Sequence, residues 1–379
     1  MPITVNSADE AAAAADDAQT ISADEIALYD RQIRLWGVKA QEKLRSAKIL
    51  LVTAKALANE IAKNLVLAGI GSLTIADHEQ VSGDDLCSQF FVSEEDIGKN
   101  RAVATAPRIR ELNPRVAVHV ESIDVRTRGA EYFAPFDIVI ITEADLDTIT
   151  SINTHTRLSN RPLYATASHG FYGYIFADLI SHDYVIQRDK SNVPTALKAE
   201  TSTRSVVAAT TRKENGKVVE IVTKRETYSP IALVNTAPLP AEHLKNRRRL
   251  RQVTPLLTCI RALWEFQRLS NNALPSHSHA DVELFTTLAT AKHKELQLPP
   301  ETLTSEFLRS FLQNIGAELA PATAFLGGVL AQDVINVLGG REQPIQNFLL
   351  LDAAESKAPV YSLHPPTNSE DGLVVPVFV

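Results

Sequence analysis

The chain has 379 residues, 45% hydrophobic and 22% charged, with a formal net charge of −7. The acidic balance argues against a nucleic-acid-binding surface. Cys87 and Cys259 are the only cysteines, which excludes a disulfide framework and a four-cysteine zinc site and fits a reducing compartment.

No apolar run is read as reaching the roughly 18 residues of a membrane span, so no membrane partner is expected. Residues 1–22 carry an alanine run flanked by acids and read as a disordered tail. "SADEIALYDRQIRLWG" follows as one short helix. Ser22 and Glu25 have capping-box spacing, Ile26, Tyr29, Ile33 and Trp36 make an apolar face, and Gly37 ends it. Strand-like runs then fall at 48–52, 73–76, 116–120, 138–142 and 162–166. Helical patterns lie between them, notably at 59–68 and 99–112. This alternation specifies an α/β fold with a doubly wound, mostly parallel sheet. "GFYGYIFADLISHDYVI" reads as antiparallel strands extending that sheet. Residues 188–216, rich in Ser, Thr and Lys, read as a loose connection, and "KVVEIVTKRETYSPI" as a strand leaving an Asn215-Gly216 turn. Residues 241–340 are mostly helical, and "NFLLLD" and the terminal "GLVVPVFV" read as strands. The expected organisation is a core at 23–184, a variable loop and hairpin segment at 185–240, and a helical extension at 241–379 that returns to the core.

Residues 48–81 have the frame of a nucleotide-binding βαβ unit, yet its turn reads Thr53-Ala54-Lys55-Ala56-Leu57-Ala58. Such turns use glycines to reach positive φ and to bring backbone amides and a helix N-terminus to phosphate. A β-carbon in the left-handed region costs about 1–2 kcal/mol. Asp77 stands where an acid would hold a ribose hydroxyl, or where a strand-end acid would simply cap a turn. The frame therefore reads as a degenerate copy that carries the fold while another copy carries the nucleotide.

"YDRQIRLWG", "EIAKNLVLAGIGSLTIADHEQV", "QFFVSEEDIGKNRA", "LNPRVAVHV", "GFYGYIFADL" and "GGVLAQDVINVLGG" together resemble the adenylation-fold family that activates ubiquitin-like modifiers. Within it the chain is most similar to the smaller, non-catalytic subunits of heterodimeric SUMO-activating enzymes. The resemblance covers most of 22–184 and 303–352. It implies a Rossmann-like adenylation fold and a catalytic partner subunit holding ATP, Mg, a structural zinc and the thioester cysteine. SUMO and its conjugating enzyme would be reached through the complex, and the expected localisation is nuclear with some cytoplasmic. No metal site is expected in this chain. The resemblance also aligns Asp85 and Ser88 of "DDLCSQF" with the Asn and Arg of catalytic members, Arg101 with a lysine, and Asp145 with a magnesium-associated aspartate. With Thr53, Ala56, Ala58 and Asp77 these make a pocket expected not to function.

Arg31 is the residue the resemblance points to: in this family an arginine of the "YDRQIRLWG" segment crosses the dimer interface to the partner's ATP. Arg34 has Asp30 four residues upstream, a favourable helix pair, whereas Arg31 has no acid at the neighbouring spacings. Cys87, in the degenerate loop, and Cys259, in the apolar "LLTCIRALW", are not expected to carry the modifier. "HSH" at 277–279 reads as a solvated loop, and "KNRRRLR" at 245–251 as an import signal or a helix's basic face. Gly327-Gly328 permits close helix packing, within the chain or between subunits. The rivals are a homodimeric adenylating enzyme of the MoeB or ThiF kind, an NAD-dependent oxidoreductase, a modifier-binding scaffold, and the equivalent subunit for another modifier.

Overall fold

The computed structural model describes residues 22–214 and 217–365. The chain enters through three short helices, α1 (Ala23–Leu28), α2 (Asp30–Trp36) and α3 (Val38–Ser46). Ser22 and Glu25 form the capping box expected of them. The single helix expected over 22–36 is instead two, broken at Tyr29. The Tyr29 ring is buried, Ile33 and Trp36 are half-buried, and Ile26 is exposed, so the expected apolar face is only partly covered.

The alternation follows as β1 (Lys48–Val52), α4 (Ala56–Ala68), β2 (Ser72–Ala76), α5 (Arg101–Leu112), β3 (Ala117–Glu121), β4 (Ile138–Thr142), α6 (Leu146–Leu158), β5 (Leu163–His169) and β6 (Tyr172–Asp178). β3-β2-β1-β4-β5 are parallel neighbours, and β6 adds antiparallel to β5. Successive residues of β1 and β4 are buried on opposite faces. Leu50, Val52, Val139 and Ile141 belong to one apolar cluster, and Ile49, Leu51, Ile138 and Ile140 to the other. That is why these strands read as continuous apolar runs rather than alternating ones.

β7 (Ser181–Asp189) does not extend this sheet as expected. It pairs with β9 (Lys217–Thr227), which also pairs with β8 (Arg204–Glu214), in a separate three-stranded antiparallel sheet. The loose segment expected over 188–216 is thus corrected at its C-terminal half. β9 supplies a hydrogen-bonding partner along β8, and Val206 is buried beneath it. The Asn215-Gly216 turn and the terminal "GLVVPVFV" strand lie outside the described residues.

The helical extension contains α7 (Leu256–Leu269), α8 (His279–Glu295), α9 (Ser305–Asn314) and α10 (Ala320–Gly339), and β10 (Phe348–Asp352) returns antiparallel to β6 with β11 (Val360–Tyr361) beside it. α10 is long and apolar enough by composition to cross a membrane, which the sequence reading overlooked. Here it packs on α4. A β-carbon on Gly327 would lie 2.6 Å from the Glu60 side chain, so that glycine serves an intramolecular crossing, while Gly328 faces open space. Its buried Asp333 accepts a 2.6 Å hydrogen bond from the Tyr164 hydroxyl.

Candidate functional site

Strand order reverses between β1 and β4, and the crevice beyond the carboxyl ends of those strands is where open α/β sheets take ligands. A pocket lies there, walled by Thr53, Lys55, Asp77, Glu143, Asp145 and their neighbours. Thr53 has φ 69°, the left-handed value that a glycine would adopt freely. Its amide donates to the Ala76 carbonyl at 3.0 Å, and its own carbonyl accepts from the Thr142 hydroxyl at 2.8 Å. The turn keeps the backbone of a phosphate loop with a β-branched residue at its tightest point. Ala56 and Ala58, in the first turn of α4, are fully buried.

Asp77 is consumed internally. One carboxylate oxygen accepts from the Ala54 amide at 2.8 Å and from Arg101 at 3.0 Å, and the other from the Glu79 amide at 2.9 Å. Arg101 is only 3% exposed and also meets Glu79 at 3.0 Å and Asp85 at 3.5 Å. Burial pulls its guanidinium down, but the surrounding carboxylates outweigh that and hold it above its ordinary value. Asp85 faces inward, accepting from the Ser82 amide and hydroxyl and from Gln89. It sits against Arg101 rather than at the pocket wall where the aligned sequence would have put it. Ser88 donates to Glu318 at 3.1 Å, and Asp145 caps α6 by accepting from the Thr148 amide and hydroxyl.

Two acids that sequence reasoning passed over stand at this end of the sheet: Glu143 lines the pocket, and Glu318 lines a neighbouring cavity that shares Lys55, Glu143 and Asp145 with it. Glu318, 230 residues beyond Ser88, faces the Ala56 amide and the Lys55 ammonium at the N-terminus of α4, and burial pushes its carboxyl up. A helix N-terminus is the natural seat of a phosphate, and here the Glu318 carboxylate lies beside it, bound to Ser88. Glu143, at φ 54°, accepts from the Ser168 amide and hydroxyl at 2.9 Å each. Burial and then the Glu318 charge push it up to about 7. Positive φ at Glu143 has no sequence signal, and nothing local to Lys55 announces Glu318. Asp124 also lines the pocket and is paired with Arg126 at 2.7 Å. A triphosphate entering would meet Glu79, Glu143 and Asp145, and Lys55, the lysine in the pocket's lining, already faces Glu318.

The remaining expectations fall elsewhere. Arg31 is exposed on α2, and no hydrogen bond or ion pair joins it to another described residue, whereas Arg34 binds Asp30 at 2.9 Å. Cys87 is exposed, and Cys259 is buried with its thiol pushed up by that burial. No group of three or more His, Cys, Asp or Glu side chains able to hold a metal occurs among the described residues.

The ThiF family profile matches residues 29–372. The chain belongs to the ThiF family. It is 37% identical over 347 residues to the DNA damage tolerance protein RHC31 of Saccharomyces cerevisiae, covering 90% of this chain and 98% of that protein. It is 33% identical over 344 residues to the DNA damage tolerance protein rad31 of Schizosaccharomyces pombe, covering 90% and 98%. It is 31% identical over 347 residues to SUMO-activating enzyme subunit 1 of Homo sapiens, covering 91% and 97%. The ThiF-family match begins at Tyr29, so it takes in most of the arm that carries Arg31 as well as the sheet and α10.

Proposed function

We propose that this ThiF-family chain is the non-catalytic subunit of a heterodimeric SUMO-activating enzyme. ATP and Mg are bound by the catalytic partner, which adenylates the C-terminal glycine of SUMO, releases pyrophosphate and takes the acyl group onto its own cysteine. The conjugating enzyme meets this chain only through that complex. The observation that carries the reading is the internal pairing of the groups a nucleotide would need: Arg101 and two backbone amides take up the Asp77 carboxylate, and Ser88 is bound to Glu318. Near-complete coverage of subunits bearing that name supports the choice of modifier.

Arg31 is the chain's contribution to the reaction. It reaches across the subunit boundary and stabilises charge on the partner's triphosphate during attack by the SUMO carboxylate. The arm also leaves Leu28, Leu35 and Val38 uncovered, Leu35 by 77%, and exposed leucines clustered beside a functional arginine suit a subunit contact. Nuclear residence, with some cytoplasmic, belongs to the same proposal. Lys245, Arg247 and Arg248 are exposed around a helix of only four residues, so the cluster is not the basic face of a long helix.

Calorimetric titration of the isolated chain with ATP-Mg tests the division of labour. No micromolar binding is expected. A micromolar site in this chain would overturn it.

A further inference from the structure

The last four carbonyls of a helix have no partner within it. In α4 they belong to Leu65, Val66, Leu67 and Ala68. The Gly69 amide serves Leu65 and Val66. The Ile70 amide adds a long 3.5 Å bond to Leu65, and the remaining donors are side-chain amides from distant segments. Asn113 Nδ2 donates to Val66 at 2.9 Å, Gln32 Nε2 to Leu67 at 3.3 Å, and Gln41 Nε2 to Ala68 at 3.0 Å. Gln32 lies on α2 and Gln41 on α3, so two of the three come from the arm that carries Arg31. Asn113 Nδ2 also donates to the Tyr29 hydroxyl at 2.8 Å, and Trp36 Nε1 donates to Gln41 Oε1 at 3.0 Å, which sets the direction of that amide. Gly69 makes the approach possible. It has φ 81°, and a β-carbon there would lie 2.6 Å from the Tyr29 ring.

α2 is seven residues long and buries none of them. A helix that short has little stability of its own, and within α2 only Trp36, at its last position, is packed against the core. Tyr29 before it and the side-chain amides supply the other described contacts that hold its direction. We propose that Gln32, Gln41 and Asn113 form a clamp that positions Arg31, holding α2 on the C-terminus of α4 so that the guanidinium meets the partner's site already oriented. The proposal rests on the trans role of Arg31 and names what makes that role effective. Pre-set orientation is a large part of what a catalytic contact contributes, and a small misplacement forfeits much of it.

The test uses the assembled heterodimer with Gln41→Met, which keeps side-chain length and removes the amide. Gln32→Met, at the more accessible end of the clamp, is the second variant in case the buried change prevents folding. ATP–pyrophosphate exchange is measured for each, alone and combined with Arg31→Ala, with assembly followed by size-exclusion chromatography. Gln41→Met should lower kcat about tenfold, and Gln32→Met about threefold, with the KM for SUMO unchanged. In the Arg31→Ala background neither should cost anything further, because the positioned group is already gone. Wild-type kcat in both clamp variants, with Arg31→Ala slow, overturns the clamp and leaves the trans role of Arg31 standing. Losses that add to that of Arg31→Ala also overturn it, since they mark a general structural role. A wild-type rate for Arg31→Ala removes the trans role itself, and the clamp with it.

Discussion

Thr53 holds a conformation that its side chain opposes, and its bonds to the Ala76 carbonyl and from the Thr142 hydroxyl keep it there. Relief of the left-handed penalty of about 1–2 kcal/mol, less about 0.5–1 kcal/mol for glycine's greater unfolded freedom, sets the expectation for Thr53→Gly. The variant should be more stable by about 1 kcal/mol, seen as a higher urea midpoint at unchanged slope. A lower midpoint would show that the hydroxyl or methyl makes a contact worth more than the strain. The same change should not create an ATP site, because Glu318 and the bound Asp77 remain. Glu143 makes a second residue-scale prediction through pH. Its folded value near 7 stands above the ordinary 4.5, so the fold favours the protonated form. That form's advantage is complete below about 4.5, and stability falls as pH rises through 7. Glu143→Gln keeps an oxygen for the Ser168 bonds and loses the charge. At pH 8 it should be the more stable protein by about 3 kcal/mol, and near pH 4 the two should match. Parallel stability curves from pH 4 to 8 would place the carboxylate in a wetter setting than its neighbours suggest.

At the scale of elements, the entering helices dock through Tyr29, Leu44 and side-chain amides and leave Leu28 and Leu35 outward. Leu35→Asp should leave the isolated chain folded and weaken heterodimer assembly by about tenfold or more, as loss of a central apolar contact does. Unchanged assembly in analytical ultracentrifugation would move the interface to another face. The β1–α4–β2 frame and the parallel strands were legible because their apolar runs are long and their stops are Gly69 and Asn113-Pro114. The strand Arg204–Glu214 was not, because its Thr, Ala and basic residues resemble a loop until β9 supplies the pairing. The break at Tyr29 was hidden by an apolar spacing that runs straight through it. In the pocket, the missing glycines could be read from the turn's own sequence. The inward turn of Asp85 and the arrival of Glu318 at α4 could not, since both depend on contacts made across the fold.

At the scale of the whole molecule, the proposed division of labour keeps a switch-point crevice that takes no nucleotide and carries Arg31 outward to a neighbour's reaction. The most direct measurement is ATP–pyrophosphate exchange by the heterodimer at saturating SUMO, comparing Arg31→Ala with Arg34→Ala. A positioned cation in a water-poor site is worth about 2.7–4 kcal/mol, so Arg31→Ala should slow exchange by roughly 10²–10³ with assembly intact. Arg34→Ala, which breaks an exposed pair worth about 0.2–0.5 kcal/mol, should exchange at close to the wild-type rate. Wild-type exchange by Arg31→Ala, or a crippled Arg34→Ala beside it, would contradict the account.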